Sequence, residues 1–168
     1  MSREKVFIVD ENNKPLEPQP RDVMIRDGLW CRVASVVVID TDKQMVLCQK
    51  RSEPKDQRPG SWVVEFGGKA DPDEDCLATA QRELFEESGI ECSPDELIFS
   101  GIERSTERRQ FAYCYSLNRS TTTQLSPDPV EVSDTQWLPL QSAIKNLEED
   151  PAWYSYGNDL KILKSLIN

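Results

Sequence analysis

Between Gly68 and Ile90 the chain reads GKADPDEDCLATAQRELFEESGI, and Glu83, Glu86 and Glu87 within it fall at the spacing that puts three carboxylates on one face of a helix. Like charges so placed repel one another unless a cation gathers them, and a hard divalent metal suits such oxygens. Leu77, Ala80 and Leu84 recur on another side, which gives the helix a face to bury. The spacing predicts a start near Pro72, with Asp71 as N-cap and Glu74 at the reciprocal position of a capping box, and a stop at Gly89. Just upstream, Gly67 and Gly68 lack a Cβ and let the backbone come close to a ligand beside the acidic face.

The rest of the pattern must house this unit. Lys5 to Asp10 reads as a short strand, Glu11 to Pro20 as turn and loop, and residues 1–29 together as an N-terminal hairpin belonging to the same domain. Cys31 to Ile39 is a valine-rich buried strand, and Met45 to Arg51 its hairpin partner. Trp62 to Phe66 is the strand that delivers the glycine loop. Leu97 to Arg104 and Gln110 to Leu117 form a further antiparallel pair, followed by a short strand at Gln136 to Leu138 and helices at Leu140 to Glu149 and Asn158 to Ile167. Strands interrupted by helices in this order predict an α/β domain, a mixed sheet covered on both faces.

Gly68, Glu74, Arg82, Glu83, Leu84, Glu86, Glu87, Gly89 and Ile90 match every fixed position of the Nudix box, GX5EX7REUXEEXGU with U a bulky aliphatic residue. On these residues the chain is identified as a member of the Nudix superfamily. The resemblance implies the Nudix α/β/α sandwich and metal-dependent hydrolysis of a phosphoanhydride. It also implies Mg2+ or Mn2+ held by Glu83, Glu86, Glu87 and the backbone carbonyl of Gly67, with Arg82 positioning a catalytic glutamate. Glu131 resembles, by its distance from Trp137, a further glutamate of the MutT branch; its other reading is a solvated loop acid. Arg51 and Lys69 flank the glycine loop and are candidates for substrate phosphates, or else relieve the crowded acids. Glu103 and Glu107 have no spacing argument behind them.

Length and charge set bounds on partners. A chain of 168 residues is one domain by size. With 20 Lys and Arg against 30 Asp and Glu, the formal charge of −10 disfavours a sequence-independent grip on long nucleic acid. A small phosphorylated substrate remains compatible, because a bound metal and local cations reverse the sign inside one cleft. The start, MSREKVF, shows no apolar leader, and no run approaches a membrane span, so a cytoplasmic protein is expected. Five cysteines, Cys31, Cys48, Cys76, Cys92 and Cys114, include no close pair and read as small buried hydrophobes. Trp30, Trp62, Trp153, Tyr154 and Tyr156 read as packing residues. Whether a homodimer buries the N-terminal strand is left open by the sequence.

Two rival readings arise. The phrases VFIVDENNKPL, RDGLWCRVASVVV and CQKRSEPKDQRPGSW resemble the isopentenyl-diphosphate isomerase branch of the superfamily. That enzyme's metal site uses histidines, of which this chain has none, and it needs a cysteine in the segment Trp62 to Lys69, which contains none. Cys31 lies on a different strand and does not inherit that role. The second rival, a nucleotide-sensing Nudix module, usually loses box carboxylates and carries a partner domain, whereas here the carboxylates are complete.

Overall fold

The computed structural model describes residues 4–167; Met1 to Arg3, part of the start read as leaderless, lie outside the described residues. The elements run β1 (Lys5–Val6), β2 (Ile8–Val9), β3 (Gln19–Pro20), α1 (Arg21–Asp27), β4 (Trp30–Asp40), β5 (Met45–Arg51), β6 (Trp62–Val63) and β7 (Glu65–Lys69). They continue α2 (Cys76–Ser88), a 3₁₀ turn at Pro94–Glu96, β8 (Ile98–Ser105), β9 (Gln110–Asn118), β10 (Val132–Pro139), α3 (Leu140–Glu149) and α4 (Asn158–Ser165).

The long valine-rich strand organises everything else. On one side β4 pairs in parallel with β9 from Cys31↔Gln110 to Ile39↔Asn118, and β8 extends that half as an antiparallel neighbour. On the other side β4 meets β5 only at Ile39↔Val46 and Asp40↔Met45, and then β7 takes over antiparallel from Val37↔Glu65 to Val33↔Lys69. The expected hairpin of β4 and β5 is therefore confined to its turn. Beyond the turn β5 diverges and pairs with β10 along its whole length. The single strand expected over Trp62 to Phe66 is split for the same reason: Trp62–Val63 stays with β5, and the chain then crosses to join β4. The sheet thus forks, and β7 fills the fork.

Side chains alternate across β4 as a two-sided buried strand requires. Ala34, Val36 and Val38, with Leu47, Phe66 and Leu117, meet Ala80 and Leu84 of α2. Val37 and Ile39, with Val46, Cys48 and Val64, meet Leu140, Ala143 and Leu147 of α3 and Ile162 and Leu163 of α4. The result is the expected α/β/α sandwich. A smaller cluster of Val6, Ile8, Met24 and Cys31 seats the N-terminal segment. That segment includes the expected hairpin, as the β1–β3 pair, but also α1, which the sequence reading left out. This helix is short and buries only Met24 among its described residues, so it shows no apolar stripe.

The acidic helix starts later than expected. Its N-cap is Asp75, whose carboxylate accepts the Ala78 N–H at 2.8 Å, while Asp71 closes a turn by accepting the Glu74 N–H at 3.1 Å. The expected capping box does not form, because Glu74 is engaged by Arg82. Gly89 ends the helix as expected, in the left-handed conformation at φ 79°. All five cysteines are free thiols, four of them buried, as read from the sequence.

The junction of β4, β7 and α2 admits no extra atom. A Cβ on Gly67 would collide with the Ala34 carbonyl and lie 2.8 Å from Ser35 Cα, both on the neighbouring strand's backbone. Gly67→Ala is expected to lower stability by about 3 kcal/mol through forced separation of β7 from β4. Urea denaturation measures it, and a loss below about 1 kcal/mol would show that the strands part easily.

Candidate active site

Gly67 and Gly68 lie on β7 and the glutamates on α2, and the close packing of those two elements makes the site. The three box glutamates sit at graded depth. Glu87 is 2% exposed, the Glu83 side chain 15% and the Glu86 side chain 48%. They do not share one solvent-facing surface, as the helical spacing suggested: Glu87 points under the helix. There its carboxylate accepts the Gly67 N–H at 2.9 Å and the Gln49 amide at 3.1 Å, and the same Gln49 nitrogen donates to the Glu65 carbonyl at 2.6 Å.

Arg82 holds the other two. Its guanidinium donates to Glu83 at 2.9 Å and to Glu86 at 3.4 Å across one helical turn, and it is itself anchored by Glu74 through contacts of 2.8 and 3.1 Å. Glu74 also accepts from the Thr79 hydroxyl at 3.0 Å. The arginine expected to position a glutamate thus reaches both, and the residue expected to cap the helix instead fixes the arginine. This hydrogen bonding from Arg82 holds the Glu74 carboxyl below its ordinary pKa.

Burial pushes the Glu87 carboxyl up to about 8, with the neighbouring charge of Glu83 adding to it, and pushes Glu83 up as well. Among the described residues no group of three or more His, Cys, Asp or Glu side chains is gathered as a metal cage. The reason is visible in the partners: Glu83 and Glu86 turn toward Arg82, and Glu87 toward the Gly67 amide. The residues nevertheless fit a hard divalent cation. The donors are all oxygen, and a buried carboxylate next to another acid lacks a compensating positive charge. Gly68 keeps the approach open, since a Cβ there would lie 2.5 Å from the Glu83 carboxyl carbon.

A cavity of about 410 Å³ lies over this junction, lined by Gly67, Gly68, Arg82, Glu83, Glu86 and also by Arg51, Lys55, Lys69 and Glu131. The structure therefore brings both candidate cations, Arg51 and Lys69, to the glutamates. Arg51 is braced by donating to the Gln57 carbonyl at 2.8 Å. Glu131 also reaches the cleft, ion-paired with Lys55, so it is not a free loop acid. Glu103 lines the same cavity and Glu107 the neighbouring one. Of the aromatics, Trp62 and Trp153 stack at 5.6 Å as packing residues, but Tyr154 and Tyr156 line a cavity wall. Gln49 escaped the sequence reading, although a lone amide in the apolar strand MVLCQKR was a signal.

Comparison with known proteins identifies the family and the fold. The family model of the NUDIX domain matches residues 30–156. The chain belongs to the Nudix family. It is 31% identical over 150 residues to Nudix hydrolase 3 of Arabidopsis thaliana, covering 82% of this chain and 19% of that one, so it spans about a fifth of that relative's length. It is 28% identical over 158 residues to isopentenyl-diphosphate Delta-isomerase 1 of Aromatoleum aromaticum, covering 91% of this chain and 87% of that one. The crystal structure of DR0079 from Deinococcus radiodurans superposes with a TM-score of 0.75 at 20% identity, over 98% of this chain and all of that one, which shows the fold.

Glu74→Gln removes one charged acceptor from Arg82. It is expected to destabilise the fold by about 1–2 kcal/mol, given partial solvent exposure of the pair. An unchanged urea midpoint would show that the Arg82 network adds nothing to folding.

Proposed function

We propose that this Nudix domain is a metal-dependent pyrophosphohydrolase acting on a nucleoside diphosphate linked to a second moiety, or on a related nucleotide or organic pyrophosphate. The observation that carries the reading is the set of box carboxylates at a β7–α2 junction too tight for a Cβ, clamped by Arg82 and opening into a cleft with Arg51 and Lys69 on its walls.

Glu83, Glu86 and Glu87, with the Gly67 carbonyl, would hold Mg2+ or Mn2+. Such an ion supplies charge neutralisation on phosphate oxygens and a lowered pKa for an attacking water. The chain's own residues do the rest. Arg82 gathers Glu83 and Glu86 at the cleft, from where they would turn toward a bound cation. Arg51 and Lys69 counter the substrate's negative charge, which the overall charge of −10 would otherwise repel. Glu131 stands at the cleft as the candidate to accept the water's proton, and its ion pair with Lys55 orients it.

An isomerase reading has the Aromatoleum aromaticum relative in its favour, but no histidine exists in the chain and no cysteine lies between Trp62 and Lys69. Cys31 lines the neighbouring cavity and not the cleft. A cytoplasmic setting accords with five free thiols, and no helix among the described residues is long and apolar enough to cross a membrane.

Phosphate release after coupled phosphatase treatment, from a panel of nucleotides, nucleotide sugars, dinucleotides and isoprenyl diphosphates with and without Mg2+ or Mn2+, tests the proposal. Turnover is expected only with metal. Glu86→Gln, which keeps shape and removes charge, is expected to lower it by roughly 100-fold or more. Activity near that of the unsubstituted protein would overturn the assignment of α2 as the catalytic centre, and binding of a nucleotide without metal-dependent turnover would favour a sensor.

A further inference from the structure

A second cavity, of about 600 Å³, adjoins the catalytic cleft and shares Gln57, Lys69, Arg108, Gln110 and Tyr156 with it. Its size is that of a small-molecule site. Its floor is apolar, from Met24, Ile25 and Leu29 at α1, but its walls carry Arg58, Lys69, Arg108 and Arg109 against the single acid Glu107 among the described lining residues. Four cations around one hollow are out of keeping with a chain whose formal charge is −10.

The described arginines divide into two groups, and Arg32, Arg51 and Arg104 share with these cations the lack of an ion-paired carboxylate. Arg21, Arg26, Arg82 and Arg119 each meet a carboxylate. Among the described residues Arg58, Lys69, Arg108 and Arg109 make no direct ion pair, although Asp56 and Glu83 lie within electrostatic reach of Lys69, and Glu65 of Arg108. They are held in place by neutral groups instead. The Arg58 guanidinium lies 3.9 Å from the Tyr154 ring centroid. Arg108 donates to the Tyr154 hydroxyl at 3.2 Å and the Tyr156 carbonyl at 3.1 Å, and Arg109 donates to the Gly28 carbonyl at 2.6 Å. Arg108 Nε is buried with no acceptor at all, a donor the fold leaves unsatisfied. Positioned, unpaired guanidinium forks suit a phosphate, which carries close to two charges at neutral pH and three acceptor oxygens.

We infer that the substrate carries a second anionic group, a phosphomonoester remote from the scissile pyrophosphate, seated in this cavity by Arg58, Arg108 and Arg109, with Lys69 at the passage between the two sites. This inference deepens the pyrophosphohydrolase reading and rests on it for the word substrate, but its test does not need turnover.

Calorimetric titration of the full chain with adenosine 2′,5′-bisphosphate and adenosine 3′,5′-bisphosphate, each against AMP, measures the contribution of an additional phosphomonoester. At least one bisphosphate is expected to bind about tenfold or more tightly than AMP, and Arg58→Gln and Arg109→Gln are each expected to cut that ratio to about threefold or less. Absence of binding by either bisphosphate, equal affinity with AMP, or an advantage that survives both substitutions overturns the inference. A panel in which nothing is hydrolysed while the bisphosphate advantage holds removes the hydrolase reading alone.

Discussion

The carboxylate of Glu87 ties three parts of the molecule together. It lies beneath α2, takes the amide of Gly67 from β7 and the side chain of Gln49 from β5, and Gln49 in turn holds the carbonyl of Glu65. A buried acid is costly unless its oxygens are satisfied, and these donors satisfy it only by bringing helix and fork of the sheet into contact. Gly67 is demanded by the β4 backbone beside it, and Gly68 by that contact, since its Cβ would strike the Glu83 carboxylate. The distance between the glycine strand and the remaining acids, Glu83 and Glu86, follows from it.

The fork itself has a simple origin. A strand with two long neighbours would leave no opening between them, but β5 separates from β4 after a few residues to follow β10. β7 can then insert with its glycines at the mouth. The cleft is consequently lined from one side by α2 and from the other by the segment leaving β5, which brings Arg51 and Lys55, and by the turn before β10, which brings Glu131. Residues far apart in sequence converge because each sits at the end of a strand whose course the fork dictates.

Much of this was legible in the chain, and the exceptions share a cause. The valine run, the alternating strand at Met45 to Arg51 and the helix at Leu140 to Glu149 were readable because local apolar periodicity decides them. The box residues were readable because their spacing encodes a helix and a glycine approach. What failed depended on partners elsewhere. Asp71 and Glu74 have the composition of a cap, yet Arg82 claims Glu74, and the helix waits for Asp75. The break after Val63 reflects a change of neighbouring strand, which no local pattern records. The role of Gln49 and the wall formed by Tyr154, Tyr156 and Arg108 exist only once the layers are assembled.

The acids and the walls of the two cavities are anchored in different ways. Glu83, Glu86 and Glu87 ride on a helix whose Leu84 and Ala80 are embedded in the core, so their positions are bound to the stability of the whole domain. Apart from Cys31, Lys69 and Gln110 near strand ends, the walls of the outer cavity come instead from α1, the loop between β5 and β6, the turn joining β8 to β9 and the stretch before α4, each attached at the periphery. Mutational drift can therefore reshape the outer cavity while leaving the acids where the core holds them. A lineage built on such a scaffold can alter the one without disturbing the other.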